Sequence, residues 1–210
     1  MLRIPLCLRF VGLNLPSSAT ASVLIEQKFI AVAGSQHSGK SQLARDLFDL
    51  LRVRVQGGVY LHPSVSQEIE HQGHPLGIHA TPTTLMAYAV AHLRRERFAK
   101  PGLNILDRCL VDVLAYVDLL GYGREPFGDL IGEAASLSLN RLCAVIVLHP
   151  KEVNYVDTRT GEDLDFRQRM YRKIKEICVE RELKIIEPKR RTVTDAAIAE
   201  LLSNVKESHL

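Results

Sequence analysis

From Lys28 onward the chain alternates short apolar runs with longer stretches of helical period, a pattern that calls for an open parallel sheet covered by helices. Strands are predicted at Phe29–Ala33, Gly58–Leu61, Leu103–Leu106, Leu142–Leu148 and Lys184–Ile186. Helices are predicted roughly over Lys40–Leu51, Ser64–Gln72, Thr83–Phe98, Leu110–Leu120, Phe127–Leu139, Asp163–Arg181 and Thr192–Lys206. Punctuation sets several of these limits: Pro82 after Thr81 opens a helix, Lys100-Pro101-Gly102 stops it, and Gly121-Tyr122-Gly123 ends the next. No internal repeat interrupts the alternation.

Residues 1–26 stand outside this pattern. They carry Arg3, Arg9, scattered leucines and a Ser/Thr/Ala stretch, with no acid before Glu26. Arg9 interrupts the apolar segment that a secretory signal would need, so a partly disordered extension is expected here, followed by a single domain over 27–210.

The first strand feeds directly into Gly34-Ser35-Gln36-His37-Ser38-Gly39-Lys40-Ser41 and then into a helix that continues through Gln42. Strand, G-x-x-x-x-G-K-S loop and helix in that order are the signature of a P-loop. Successive backbone N–H groups and the helix N-terminus must converge on phosphate oxygens, and Gly34 and Gly39 permit the tight curvature. Lys40 supplies a point charge for the β- and γ-phosphates of ATP, and Ser41 a hydroxyl for Mg²⁺. His37 reads as a spacer whose side chain points away.

Ligands of such sheets sit beyond the carboxyl ends of the strands, where a carboxylate near the metal is needed. Leu103-Asn104-Ile105-Leu106-Asp107-Arg108 delivers one, making Asp107 the metal-side residue beside Ser41 and placing Arg108 next to the phosphate-accepting group. Asp107 also suits a cap for the helix that follows. A polar stretch after His149-Pro150, with Asp157, Arg159 and Gly161, leads into a helix bearing Arg167, Arg169, Arg172 and Lys173. This reads as a closing lid around 150–170, with Arg159 and Arg167 as candidates to touch phosphate. An arginine over the γ-oxygens is worth roughly 10³ to 10⁵ in rate.

Overall charge excludes a protein that coats nucleic acid, because 27 basic and 24 acidic side chains nearly balance. Residues 167–191 nevertheless hold ten Lys or Arg against four Glu, which suggests one anion-facing surface. Cys7, Cys109, Cys143 and Cys178 lie far apart without a C-x-x-C pair, so neither a disulfide framework nor zinc is indicated and a cytoplasmic setting fits. No apolar run approaches the roughly 20 residues that cross a bilayer. The loop His71-Gln72-Gly73-His74-Pro75-Leu76-Gly77-Ile78-His79 invites a metal reading, but its spacing fits no regular helix, and a mobile acceptor loop is the expectation.

The span from Phe29 to about Pro188 resembles the P-loop kinases of nucleosides and nucleotides, most of all the nicotinamide riboside kinase-like domains and their AAA-labelled relatives. The matching segments are Gly34–Ser41, the helix start Ala80-Thr81-Pro82, the run from Leu106 through Asp107 and Arg108 to Tyr116, and Tyr155–Arg159 followed by Arg167. The resemblance implies a three-layer α/β/α fold with a five-stranded parallel sheet in the order 2-3-1-4-5 and an acceptor pocket built from His62 to Phe98. It also implies transfer of the γ-phosphoryl group of ATP to a small nucleoside- or nucleotide-like acceptor. Two departures fall on the acceptor side. The second strand ends in Leu61-His62-Pro63-Ser64 where relatives carry a Glu, and Leu85 stands near the place of a usual Gln. Asp107 and His62 are both candidates for general base. A regulatory ATPase module acting on a partner protein, and a nucleic-acid kinase, are the alternative functions. A homodimer is also left open.

Overall fold

The computed structural model describes residues 27–188 apart from 56, 125 and 151–155. The predicted helix Thr192–Lys206 and the extension 1–26 lie outside the described residues. The strands are β1 (Gln27–Ala33), β2 (Val59–His62), β3 (Gly102–Asp107), β4 (Leu142–Val147) and β5 (Ile185–Ile186). They form one parallel sheet in the order β2-β3-β1-β4-β5, as the resemblance implied. The helices are α1 (Lys40–Leu51), α2 (Ser66–His71), α3 (Pro82–Arg97), α4 (Leu110–Leu119), α5 (Phe127–Leu139) and α6 (Leu164–Glu180).

Both faces of the central strand are buried, which is why β1 reads as a continuous apolar run. Phe29, Ala31 and Ala33 join Leu106, Val145 and Val147 in a core shared with α3, α4, α5 and α6. Ile30 and Val32 face the other way, packing with Ile105 and Ile146 against Leu43, Leu47 and Leu51 of α1. A third, smaller cluster of Val65, Ile69, Leu76 and Ala91 ties α2 and the segment after it to α3.

The register places the chemistry at one sheet edge. Val32 pairs with Asp107 and Ala33 with Val147, so the chain leaves β1, β3 and β4 at the same level. Main-chain bonds continue past the strand ends, from Arg108 N–H to the Val32 carbonyl and from Leu148 N–H to the Ala33 carbonyl, both at 3.0 Å. Thr81 caps α3 by accepting from Thr84 N–H, with Pro82 in the first turn, and Asp163 caps α6 through Phe166 N–H.

Sequence and structure differ mainly at short elements. β2 begins at Val59 rather than Gly58, and α2 at Ser66 rather than Ser64, because Ser64 Oγ instead accepts the Ser66 N–H at 3.2 Å. The region expected to be a mobile acceptor loop contains the end of α2 and a 3-10 turn over Gly77–His79, and it is held to the 157–163 loop by Ile78 N–H donating to the Thr160 carbonyl at 2.9 Å.

Candidate nucleotide-binding site

The loop between β1 and α1 wraps the start of α1, where the first turn of a helix leaves amides without intrahelical acceptors. Gly39 takes φ 95° as it enters the helix, a left-handed conformation that a side chain would strain. Lys40 folds back on this loop: its Nζ donates to the Ser35 carbonyl and to Ser38 Oγ at 3.3 Å. Burial and the nearby Arg108 guanidinium lower the Lys40 ammonium to about 7, against the opposing pull of Asp112, Asp107 and Glu162.

Asp107 ends β3 directly beside the loop. Ser41 Oγ donates to Asp107 Oδ2 at 2.6 Å, so the two groups proposed to share a metal are already in contact. The second carboxylate oxygen, Oδ1, is buried without a hydrogen-bond partner among the described residues, an arrangement that suits a cation better than an isolated core carboxylate. A hydroxyl and a carboxylate are hard oxygen donors of the kind Mg²⁺ prefers, so the residues present fit that ion.

Arg108 is buried at φ 70°, an unusual conformation for a non-glycine residue. Its Nη1 donates to the Gly34 carbonyl at 3.4 Å and reaches Asp112 Oδ1 at 3.5 Å. Burial alone would lower the guanidinium's pKa, but the Asp112 carboxylate, with Tyr116 and Glu162 behind it, raises it and keeps the charge in place. Asp112 also accepts from Gly34 N–H at 3.2 Å and from Cys109 N–H at 3.1 Å. It therefore anchors the first glycine of the loop to the start of α4.

The 157–163 segment does not hang free as a lid. Its Asp157 Oδ2 meets His37 Nε2 at 2.6 Å, which corrects the reading of His37 as an outward spacer. Glu162, fully buried, accepts from Gln36 N–H at 3.3 Å and from the Tyr116 hydroxyl. Burial raises the Glu162 pKa, while those donors and Arg108 pull it back. The segment is thus sewn to the phosphate loop on one side and to the Gly77–His79 turn on the other.

Two spaces meet at this edge. An open cleft is lined by His37, Gly39, Lys40, Ser41, Gln42, Asp107, Arg108 and Arg159. Beside it lies a second, narrow pocket, partly open to solvent, between α3, α4 and the Gly77–Ala80 turn. Gln36, Ser66 and Arg108 belong to the walls of both. Among the predicted residues, Arg159 does line the cleft, although its Nη1 also pairs with Glu70 at 3.0 Å. Arg167 does not: it is 1% exposed, and its Nε donates to the Asp163 carbonyl at 3.0 Å because it falls on the buried face of α6 with Met170 and Ile174. Three other basic residues of α6 form outward ion pairs, Arg169 with Asp165, Lys173 with Asp118 and Glu176, and Lys175 with Glu187. His62 lines neither space; its Nε2 meets Asn104 Oδ1 at 2.8 Å.

Asp112 and Glu162 are the site residues that motif reading missed. For Asp112 there was a signal, since it stands three residues after Cys109, at the spacing by which a helix-start side chain reaches back to the cap amide. Glu162 carried none.

A family model described as an AAA domain matches residues 29–195, which include the strand, loop, Asp107-Arg108 and the segment after β4. The chain belongs to this AAA-domain family. Among solved structures, the domain is similar to NadR in complex with NAD and AMP-PNP, with TM-score 0.65 and 18% identity over 86% of this chain and 49% of that one. It is also similar to NadR in complex with NR, with TM-score 0.60 and 16% identity over 86% and 50%. Thymidylate kinase from Ehrlichia chaffeensis matches with TM-score 0.57 and 16% identity over 84% of this chain and 99% of that one. The AAA domain thus spans about half of the NadR chains and nearly all of the thymidylate kinase, and shares with them the P-loop kinase fold. Comparison with curated proteins finds no match. No helix among the described residues is long and apolar enough to cross a membrane.

Proposed function

We propose that residues 27–210 form a phosphotransferase domain that moves the γ-phosphoryl group of ATP to a small nucleoside- or nucleotide-like acceptor. The observation that carries this reading is the shared wall between the two spaces: Arg108 and Gln36 border both the cleft over the phosphate loop and the pocket beside it. A donor phosphate held in one and an acceptor held in the other would meet at Arg108.

In this reading Lys40 and the loop amides other than those of Gly34 and Gln36, which Asp112 and Glu162 engage, hold the β- and γ-phosphates, while Ser41 and Asp107 hold Mg²⁺. The ion, when bound, neutralises charge on the β- and γ-oxygens. An acceptor oxygen attacks the γ-phosphorus, the bond to the β-bridging oxygen breaks, ADP leaves, and the acceptor proton passes to a base. Asp107 is favoured over His62 for that role, since only Asp107 lines the cleft. Arg108 stabilises charge on the transferring group, and Arg159 does so from the exposed side.

The test is a screen of nucleosides and nucleotides for phosphorylated products by mass spectrometry, beside Lys40→Ala. Formation of ADP that depends on a particular acceptor, and is lost in the variant, is expected. ATP hydrolysis indifferent to every acceptor but stimulated by a protein would replace this reading with a regulatory ATPase.

A further inference from the structure

The narrow pocket has a polarity that singles out one kind of acceptor, an inference that rests on the phosphotransferase reading above. Among the described residues, its charged lining is Arg108 and Asp112. Asp112 is already committed: Oδ1 receives Gly34 N–H and Arg108, and Oδ2 receives Cys109 N–H. Glu162 is occupied by two of the lining residues, through the Tyr116 hydroxyl and the Gln36 amide. Among the described lining residues no free carboxylate therefore faces a positively charged ring, and burying an unpaired cation is costly.

His92 defines the opposite preference. It is buried on α3, its ring stacks with that of Tyr88 at 6.4 Å and 23°, and it lines the pocket. Arg95 Nη2 lies 2.9 Å from His92 Nδ1. A guanidinium only donates, so Nδ1 must present its lone pair, and an imidazolium there would oppose a cation at contact distance. The ring is therefore neutral and carries its proton on Nε2, a donor on the edge away from Arg95. Leu85, Val113 and the Tyr116 ring complete walls suited to a flat, weakly polar group.

We propose that this pocket selects an acceptor whose base is planar, uncharged and carbonyl-bearing, read by the Nε2–H of His92, and that it rejects a cationic base. Uridine is an example of the favoured class. A matched pair isolates the charge: nicotinamide riboside, whose pyridinium ring is cationic, and its dihydro form, which keeps the amide carbonyl and size but is neutral.

The experiment is calorimetric titration of each riboside, and of uridine, into the protein saturated with AMP-PNP. The neutral dihydro riboside and uridine are expected to bind at least about tenfold more tightly than the cation. His92→Gln keeps both an acceptor for Arg95 and an N–H donor, so it should hold neutral ligands within a few fold. His92→Leu should lose at least about tenfold while still binding AMP-PNP, which also reports that the variant is folded. Equal or tighter binding of the cation, or failure of all three ribosides to bind the AMP-PNP complex, overturns the proposal. Failure of AMP-PNP itself to bind strikes instead at the phosphotransferase reading.

Discussion

Arg95 donates to the main-chain carbonyl of Arg108 at 2.7 Å, pinning in place a residue held at φ 70°. The same guanidinium reaches the Pro63 carbonyl at 2.8 Å, so one side chain of α3 ties together the chain ends of β2 and β3. A left-handed non-glycine residue costs about 1–3 kcal/mol and persists only where its surroundings enforce it. Arg95→Met leaves those carbonyls without their donor. It should destabilise the fold by about 1–3 kcal/mol in urea unfolding and raise the acceptor KM as Arg108 drifts.

Lys40 gives a pH dependence with a definite sign. Burial, followed by Arg108, lowers its ammonium to about 7 in the free protein. A bound triphosphate favours the charged form, so the pKa rises in the complex. Above about pH 7 binding must then take up a proton, and affinity falls as pH rises, approaching tenfold per unit until the pKa of the complex is reached. Below that window this group contributes no slope. Titrations of AMP-PNP between about pH 6 and about pH 9, in buffers of different ionisation enthalpy, measure both slope and proton uptake. Lys40→Met should flatten them.

Asp112 bridges Gly34, Cys109 and Arg108. Asp112→Ala leaves a buried guanidinium without its carboxylate, and a loss of about 3–5 kcal/mol in chemical unfolding is expected.

Gly77 holds the seam between the acceptor turn and the 157–163 segment. Its φ is +63°, and an added Cβ would lie 2.1 Å from the Thr160 carbonyl oxygen. Gly77→Ala must push these chains apart. We expect a destabilisation of at least about 1–3 kcal/mol and faster limited proteolysis within residues 157–162.

What could be read from the sequence follows how local each cause is. β1, the phosphate loop and α1 are legible because strand period, glycine spacing and the apolar stripe of Leu43, Leu47 and Leu51 all lie within a short stretch. Asp107 was legible because a strand end is a place on the sheet. Arg167 drew attention by its charge, whereas helical period places it beside Met170 on the buried face, outside the cleft lining. His37–Asp157 and Gln36–Glu162 join residues more than a hundred positions apart, and no local pattern announces such contacts. The pocket polarity around His92 depends in the same way on Arg95 and Asp112 converging from two helices.

The central claim is that residues 34–42 hold a triphosphate with Ser41 and Asp107 holding its ion. Calorimetric binding of AMP-PNP with and without Mg²⁺, in the unaltered chain, Lys40→Ala and Asp107→Asn, addresses it most directly. Binding that weakens at least about tenfold in Lys40→Ala, and loses its dependence on Mg²⁺ in Asp107→Asn, is predicted. Absence of binding to the unaltered chain, or equal affinity and equal Mg²⁺ dependence in all three proteins, would contradict it.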